Sequence, residues 1–351
     1  FSFIFVQMGR WLAGAAPWWI WALLSLVTYE VHGQPSRLGR PSMVLRLGGS
    51  LGLTGPDPVA AKAALQGIRL LQEKIERAPA SHKFRIRLAL NLDYLEDDGG
   101  DPFRVLSIYS RLANMGTTDF FLGSDSAAHS GIAAKVANSS GMLLFLPGLA
   151  PHDLVAQGYQ TVFFVGSPAA AYAWNALEVL HAAGATSVVA MWEQTLFHAD
   201  VCAGAMAYAR RLGMQVLDGF QHSGGALAQQ TARLKRSNPD ILVGCGEQRD
   251  VEQILISARA LSFNPKAVVL TSAATSSFIR SVGPMNANYI VSPTAWHSAL
   301  NLSCEVFGSS RQFADEYRER WGEEPSHHSA AAAAAGIVLL RAVEAAGTKD
   351  A

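Results

Sequence analysis

From Met43 onward, short runs of apolar residues alternate with longer stretches whose apolar positions recur every three or four residues. The short runs suit strands buried on both faces, and the longer stretches suit amphipathic helices laid over them. Residues 43–47 predict a first strand, the Gly-rich segment 48–56 a turn, and residues 57–77 a helix with Ala61, Leu65, Ile68 and Ile75 on one stripe. A second strand is predicted at 84–92, then an acidic loop carrying Asp93, Glu96, Asp97 and Asp98. Asp101 and Pro102 open a helix that runs to Met115, one as cap and the other in the first turn. Strand 119–122, helix 127–138 and strand 142–146 follow, and Pro147 stops the last of them.

The alternation restarts beyond Gly166, with helices near 169–182, 199–212, 226–236, 251–261 and 276–282 and strands at 187–191, 215–220, 241–243 and 267–270. One more strand at 289–292 and two helices, 310–321 and 328–346, close the chain. Repeated βα units around parallel sheets place the protein in the α/β class, and the restart predicts a second lobe.

A chain of 351 residues that is 50% apolar can bury substantial cores, so disorder is excluded. With 28 basic and 28 acidic residues the net charge is zero, and no electrostatic footprint points to nucleic acid; small soluble ligands are the expected partners. Cys202, Cys245 and Cys304 are too scattered for a zinc cluster or a disulfide-dense scaffold and permit at most one bridge. His198 and the pair His327-His328 lack partners at metal-ligand spacing, so no metal is expected.

The first 34 residues contain no lysine and no aspartate. Met8-Gly9-Arg10 makes a short basic start, residues 11–27 are apolar, and Val31-His32-Gly33 ends in a small residue. Residues 8–33 therefore read as a secretion signal or as an uncleaved anchor, to which Trp11, Trp18, Trp19 and Trp21 would be suited. Residues 1–7 precede a plausible initiator Met8. The sequons at Asn138 and Asn301 suit a eukaryotic secretory route. A secreted, periplasmic or extracellular location follows from these signals.

No G-x-S-x-G nucleophile elbow is expected, no P-loop and no HExxH string is present, and LGGSLG at 47–52 lacks the rest of a dinucleotide fingerprint. No catalytic residue and no cofactor are expected, and the chain does not read as an enzyme. A Rossmann-like enzyme would rest on fold class alone.

Several strings, in this order, resemble the leucine/isoleucine/valine-binding protein family of bacterial ABC transporters, whose fold also supplies receptor ligand-binding domains. They are LGGSLGLTG at 47–55, the acidic turn with Asp-Pro at 97–102, FLGSDSAAHSGIAAKVANSSGMLLFLPGLAPHDL at 121–154 and GYQTVFFVGSP at 158–168. DILVGCGEQRDVEQILISARALSFNP at 240–265 and RQFADEYRERWGEEPSHHSA at 311–330 complete the set. The resemblance implies two Rossmann-like lobes with parallel central sheets, joined by hinge crossings, and a ligand cleft between them. It implies a first lobe over 43–165, a second over 166–292, and a return to the first over 293–351 that reads as truncated relative to the family.

Ligands in such sheets sit outside the carboxyl ends of the strands. That rule picks out the loops 49–54, 123–130 and 147–151 of the first lobe, which hold Ser50 and Leu149, and the loops after Met191, Val243 and Leu270 of the second. Amino-acid-binding relatives hold the α-carboxylate with hydroxyls and backbone N–H groups, and the ammonium with a carboxylate and an aromatic. The resemblance places Ala127 and Ala150 at the hydroxyl positions, with Ser126, His129 and Ser130 as neighbouring substitutes, and Phe197, Glu247 and Ala273 at the second-lobe positions. Ser126 and Ser130 would serve equally as helix caps, and Glu247 as a solvated helix start. The implied function is binding of a small, amino-acid-like molecule by lobe closure, as a receptor's sensory domain or as a transporter's solute-binding protein; the alanines at the hydroxyl positions depart from the family pattern and fit a neutral or mostly apolar ligand, or a divergent domain without ligand binding, better than an unmodified amino acid.

Overall fold

The computed structural model describes residues 42–55, 58–77, 84, 87–123, 126–148, 150–222 and 224–350. The signal or anchor expected at 8–33 lies outside the described residues. In the first lobe, β1 (Ser42–Leu51), α1 (Val59–Arg77), β2 (Arg87–Asp97), α2 (Pro102–Met115), β3 (Phe120–Leu122), α3 (Ala127–Ser140), β4 (Leu144–Leu146), α4 (His152–Ala156) and β5 (Val162–Phe164) follow in turn. The strands form a parallel sheet in the order β2-β1-β3-β4-β5.

The second lobe runs through a 3-10 turn at Ala169–Ala171, then α5 (Trp174–Ala182), β6 (Ser187–Trp192), α6 (Leu196–Arg211), β7 (Gln215–Gln221) and α7 (Leu227–Arg236). β8 (Ile241–Cys245), α8 (Gln248–Ala260), β9 (Ala267–Leu270), α9 (Ser276–Val282), α10 (Pro284–Ala287) and β10 (Ile290–Val291) complete it. Its sheet is also parallel, in the order β10-β9-β8-β6-β7. A two-stranded hairpin, 303–304 with 308–309, leads to α11 (Ser310–Trp321) and α12 (His327–Ala346).

Each sheet is covered on both faces, which explains why the strands read as continuous apolar runs. In the first lobe Leu45, Leu47 and Phe120 pack with Ile68, Leu71, Tyr317, Leu339 and Leu340 on one side. On the other side Phe121, Leu144 and Leu146 pack with Val105, Tyr109, Ala133 and Ala137. Helices α11 and α12 thus return to the first sheet, and Lys349 lies 3.0 Å from Asp119, the residue just before β3. α12 is long and apolar enough to cross a membrane, by length and composition, yet 50% of it is buried against α1. That contact is close because of Gly67: a Cβ there would sit 2.1 Å from the Ser329 carbonyl oxygen. The second sheet is enclosed by Leu177, Val201, Cys202 and Ala205 on one side and Leu234, Ile254, Leu255 and Phe278 on the other.

Four departures from the sequence reading matter for the site. β1 continues through Leu51, so Ser50 lies in a strand rather than a turn. β2 is shifted to Arg87–Asp97, and the acidic segment expected as a solvated loop forms its second half. Asp98, which follows it, is fully buried. β5 and α4 were not expected, and the helix expected over 169–182 is a 3-10 turn followed by α5. The single permitted bridge joins Cys202 of α6 to Cys245 of β8, Cα to Cα 6.1 Å, and Cys304 is free.

Candidate functional site

On the first lobe, the carboxyl ends of the strands carry a partly satisfied polar group. Tyr109 reaches from α2 under the sheet edge; its hydroxyl donates to the Leu122 carbonyl (2.7 Å) and accepts from the Ser50 amide (3.2 Å). Burial first, partly offset by Ser50, pushes its phenol well above the ordinary range, so it remains a donor. Ser50 is 0% exposed and its Oγ has no hydrogen-bond partner. Gly48-Gly49-Ser50-Leu51-Gly52 matches the G-x-S-x-G spacing of a nucleophile elbow, which the expectation of no catalytic motif did not take into account. A serine sealed inside a strand, with no base on its oxygen, is not poised for attack.

Asp98 accepts from the Gly100 amide at 2.8 Å through Oδ1, while its Oδ2 is unpaired but lies 3.9 Å from His129 Nδ1. Ser126 caps α3, accepting from the His129 amide at 3.5 Å, and Ser130 is buried one turn on. Ala127 begins that helix. Leu149 lies outside the described residues. Ala150 is 4% exposed and is tied to the chain as it leaves the first lobe: its amide donates to Ser167 O (3.0 Å) and its carbonyl accepts from Ala169 N (2.9 Å).

On the second lobe the site is denser. Thr195 caps α6, accepting from the His198 amide at 3.2 Å, and so turns Phe197 and His198 toward the sheet edge. Phe197 contacts Tyr172 and His198, with ring centroids 6.4 and 5.1 Å apart. His198 is 2% exposed, and burial lowers its pKa to about 4. The ring is therefore neutral at pH 7. Its Nδ1 lies 2.8 Å from Thr195 Oγ1 and 3.1 Å from Glu193 Oε2.

Glu193 Oε2 also accepts from the Glu247 amide at 3.1 Å, and Glu247 Oε1 lies 3.9 Å from His198 Nε2. Burial and then the charge of Glu247 raise the Tyr172 phenol to about 12. Asp250 lies 3.6 Å from His222, a buried histidine with no hydrogen-bond partner on either ring nitrogen. Burial and then the charge of Glu193 push the Asp250 carboxyl upward. Ala273 is buried, and its amide donates to Ser292 Oγ at 3.2 Å. No group of three metal-ligating side chains occurs among the described residues.

The structure thus gathers Phe197 and Glu247 on one edge and Ser126, His129 and Ser130 on the other. The sequence reading missed Asp98, Tyr172, Glu193, His222 and Asp250. Only the position of Glu193 at the end of β6 could have singled one of these out. The two edges meet directly: Asp200 of α6 accepts a 2.8 Å hydrogen bond from the His152 amide at the start of α4, and α3 lies against α6.

A family profile described as periplasmic binding protein matches residues 44–351. The chain belongs to the periplasmic binding protein family. Solved structures share its fold: the leucine-binding protein LivK of Thermotoga maritima is 22% identical, with a TM-score of 0.72 over 87% of this chain and 84% of that one. LivJ of Streptococcus pneumoniae, a branched-chain amino acid transporter substrate-binding protein in complex with isoleucine, is 16% identical, with a TM-score of 0.67 over 88% and 86%. A solute-binding protein of R. palustris in complex with benzoate is 14% identical, with a TM-score of 0.68 over 87% and 82%. At these identities the likeness speaks for the two-lobed α/β fold alone. This periplasmic binding protein therefore shares a frame with proteins that hold an amino acid and an aromatic acid, and its ligand must be argued from its own side chains.

Proposed function

We propose that this protein binds a small amino-acid-like solute outside the cytoplasm by closing two lobes on it, one formed by residues 43–165 with 293–351 and the other by 166–292. The observation that carries this reading is the meeting of the two loop sets. The Asp200–His152 bond and the α3–α6 contact bring the strand ends of one sheet opposite those of the other, which is where open α/β sheets hold ligands. Carboxylates and aromatic rings on the second lobe suit an ammonium and an apolar body, and the capped start of α3 offers N–H groups to an anionic end.

The buried Cys202–Cys245 bridge supports an oxidising compartment. The relatives that serve transporters support solute delivery; a receptor's sensory domain would use the same cleft. The family and its solved relatives are binding proteins, which supports a role without catalysis. The test is a thermal-shift panel of amino acids, amides, short peptides and organic acids including benzoate. A ligand at a hundredfold excess over Kd should stabilise the protein by about 2.7 kcal/mol. A cooperatively folding sample whose midpoint moves with no member of the panel would reject the reading.

A further inference from the structure

We infer that Glu193, rather than Glu247, is the residue that receives a positively charged ligand group, so that the site selects ammonium-bearing over purely anionic solutes. The inference rests on the cleft reading above and names the charge class that the cleft takes.

The geometry distinguishes the two acids. Glu247 is the N-cap residue of α8 without a side-chain cap bond, and its side chain is 61% exposed, so water competes for it. Glu193 is 24% exposed and held in place. One oxygen, Oε2, accepts from the Glu247 amide and lies against the His198 ring, each at 3.1 Å. Its backbone is fixed as well, its amide donating to Cys245 O (2.9 Å) and its carbonyl accepting from Thr195 N (2.8 Å). Among the described residues Oε1 makes no hydrogen bond or ion pair. A carboxylate aligned through one oxygen and offered through the other loses little entropy on receiving a cation.

The negative charge is also uncompensated. His198 is the only base within ion-pair distance of Glu193 among the described residues, and as a neutral ring it supplies no countercharge. Asp250 next door has its carboxyl pushed upward by burial first and then by this same charge. An anion entering here would face this charge, whereas an ammonium would relieve it.

The experiment uses three probes with one carbon skeleton: leucine, isopentylamine, which lacks the carboxylate, and 4-methylpentanoate, which lacks the ammonium. Titration calorimetry on the whole protein should show binding of the two amines and at least tenfold weaker binding of 4-methylpentanoate. Glu193→Gln keeps an acceptor for the Glu247 amide, and its unliganded melting curve checks folding. It should weaken the amines by about tenfold to a hundredfold and abolish the preference over 4-methylpentanoate, a ratio that a merely structural residue would leave alone. Glu247→Gln should change affinities less than about threefold. Unchanged selectivity in Glu193→Gln, a larger loss in Glu247→Gln, or tighter binding of the anion would overturn the inference. A hit confined to benzoate or another anion would leave the cleft reading standing and remove this one; silence from every probe and the wider panel would remove both.

Discussion

Opening the Cys202–Cys245 bridge is the perturbation whose size follows most directly from the structure. The bridge joins residues 43 positions apart, and both cysteines are fully buried. Cross-linking a loop of that length removes about 13 cal/mol/K from the unfolded chain, or about 4 kcal/mol at 25 °C. Domains are stable by only 5–15 kcal/mol, so the second lobe should lose a large share of its margin, and its melting temperature should fall by roughly 10 °C. Calorimetry of Cys202→Ala/Cys245→Ala against the oxidised parent measures the total loss. The parent unfolded with and without dithiothreitol isolates the cross-link from the small cavities that alanine leaves. Cys304, partly buried in another part of the fold, offers no substitute partner. Oxidised, reduced and double-alanine proteins agreeing within about 1 kcal/mol would refute the reasoning.

Two further outcomes are expected. His198 has a folded pKa of about 4, below its unfolded value near 6.5. The unfolded chain therefore binds the extra proton, and the stability that this site contributes is complete above about pH 6.5 and lost as pH falls toward 4. The share of the loss from pH 7 to pH 5 that His198→Gln removes should be about 2 kcal/mol in urea titrations, His328, also lowered to about 4 by burial, adding its own; an equal pH slope in parent and variant would contradict the assignment. Gly67→Ala should cost more than about 2 kcal/mol, because the new methyl would meet the Ser329 carbonyl at 2.1 Å; a calorimetric shift within error would show that α12 gives way freely.

The α/β class and nearly every helix of the second lobe were legible in the sequence, because strands buried on both faces and amphipathic helices leave unmistakable periods. Strand ends were less so. Residues 93–97 look like a solvated loop, but among the described residues β2 is the sheet's edge strand, paired only with β1, and an edge tolerates acidic side chains. Asp97 is used there, accepting from the Thr54 amide and hydroxyl at 3.1 and 2.6 Å. β5 and α4, of three and five residues, are too short to carry a period. In the site, Glu247 and Phe197 were visible through resemblance, whereas Glu193 depends on where β6 stops and on the Glu247 amide and His198 ring that only the fold brings to it. The bridge required knowing that α6 packs over β8.

The return of α11 and α12 to the first sheet also sets an order of assembly during synthesis. Among the described residues the second sheet is built from one unbroken stretch, with both half-cystines inside it, and all five of its strands are present once β10 has emerged. The first lobe cannot seal its core until Phe313, Tyr317, Leu339 and Leu340 arrive to cover Leu45, Leu47 and Phe120. On a ribosome, where domains usually fold from the amino end, the sheet begun first is covered by helices that follow the whole of the second sheet, and its open face must wait, exposed, while its neighbour folds.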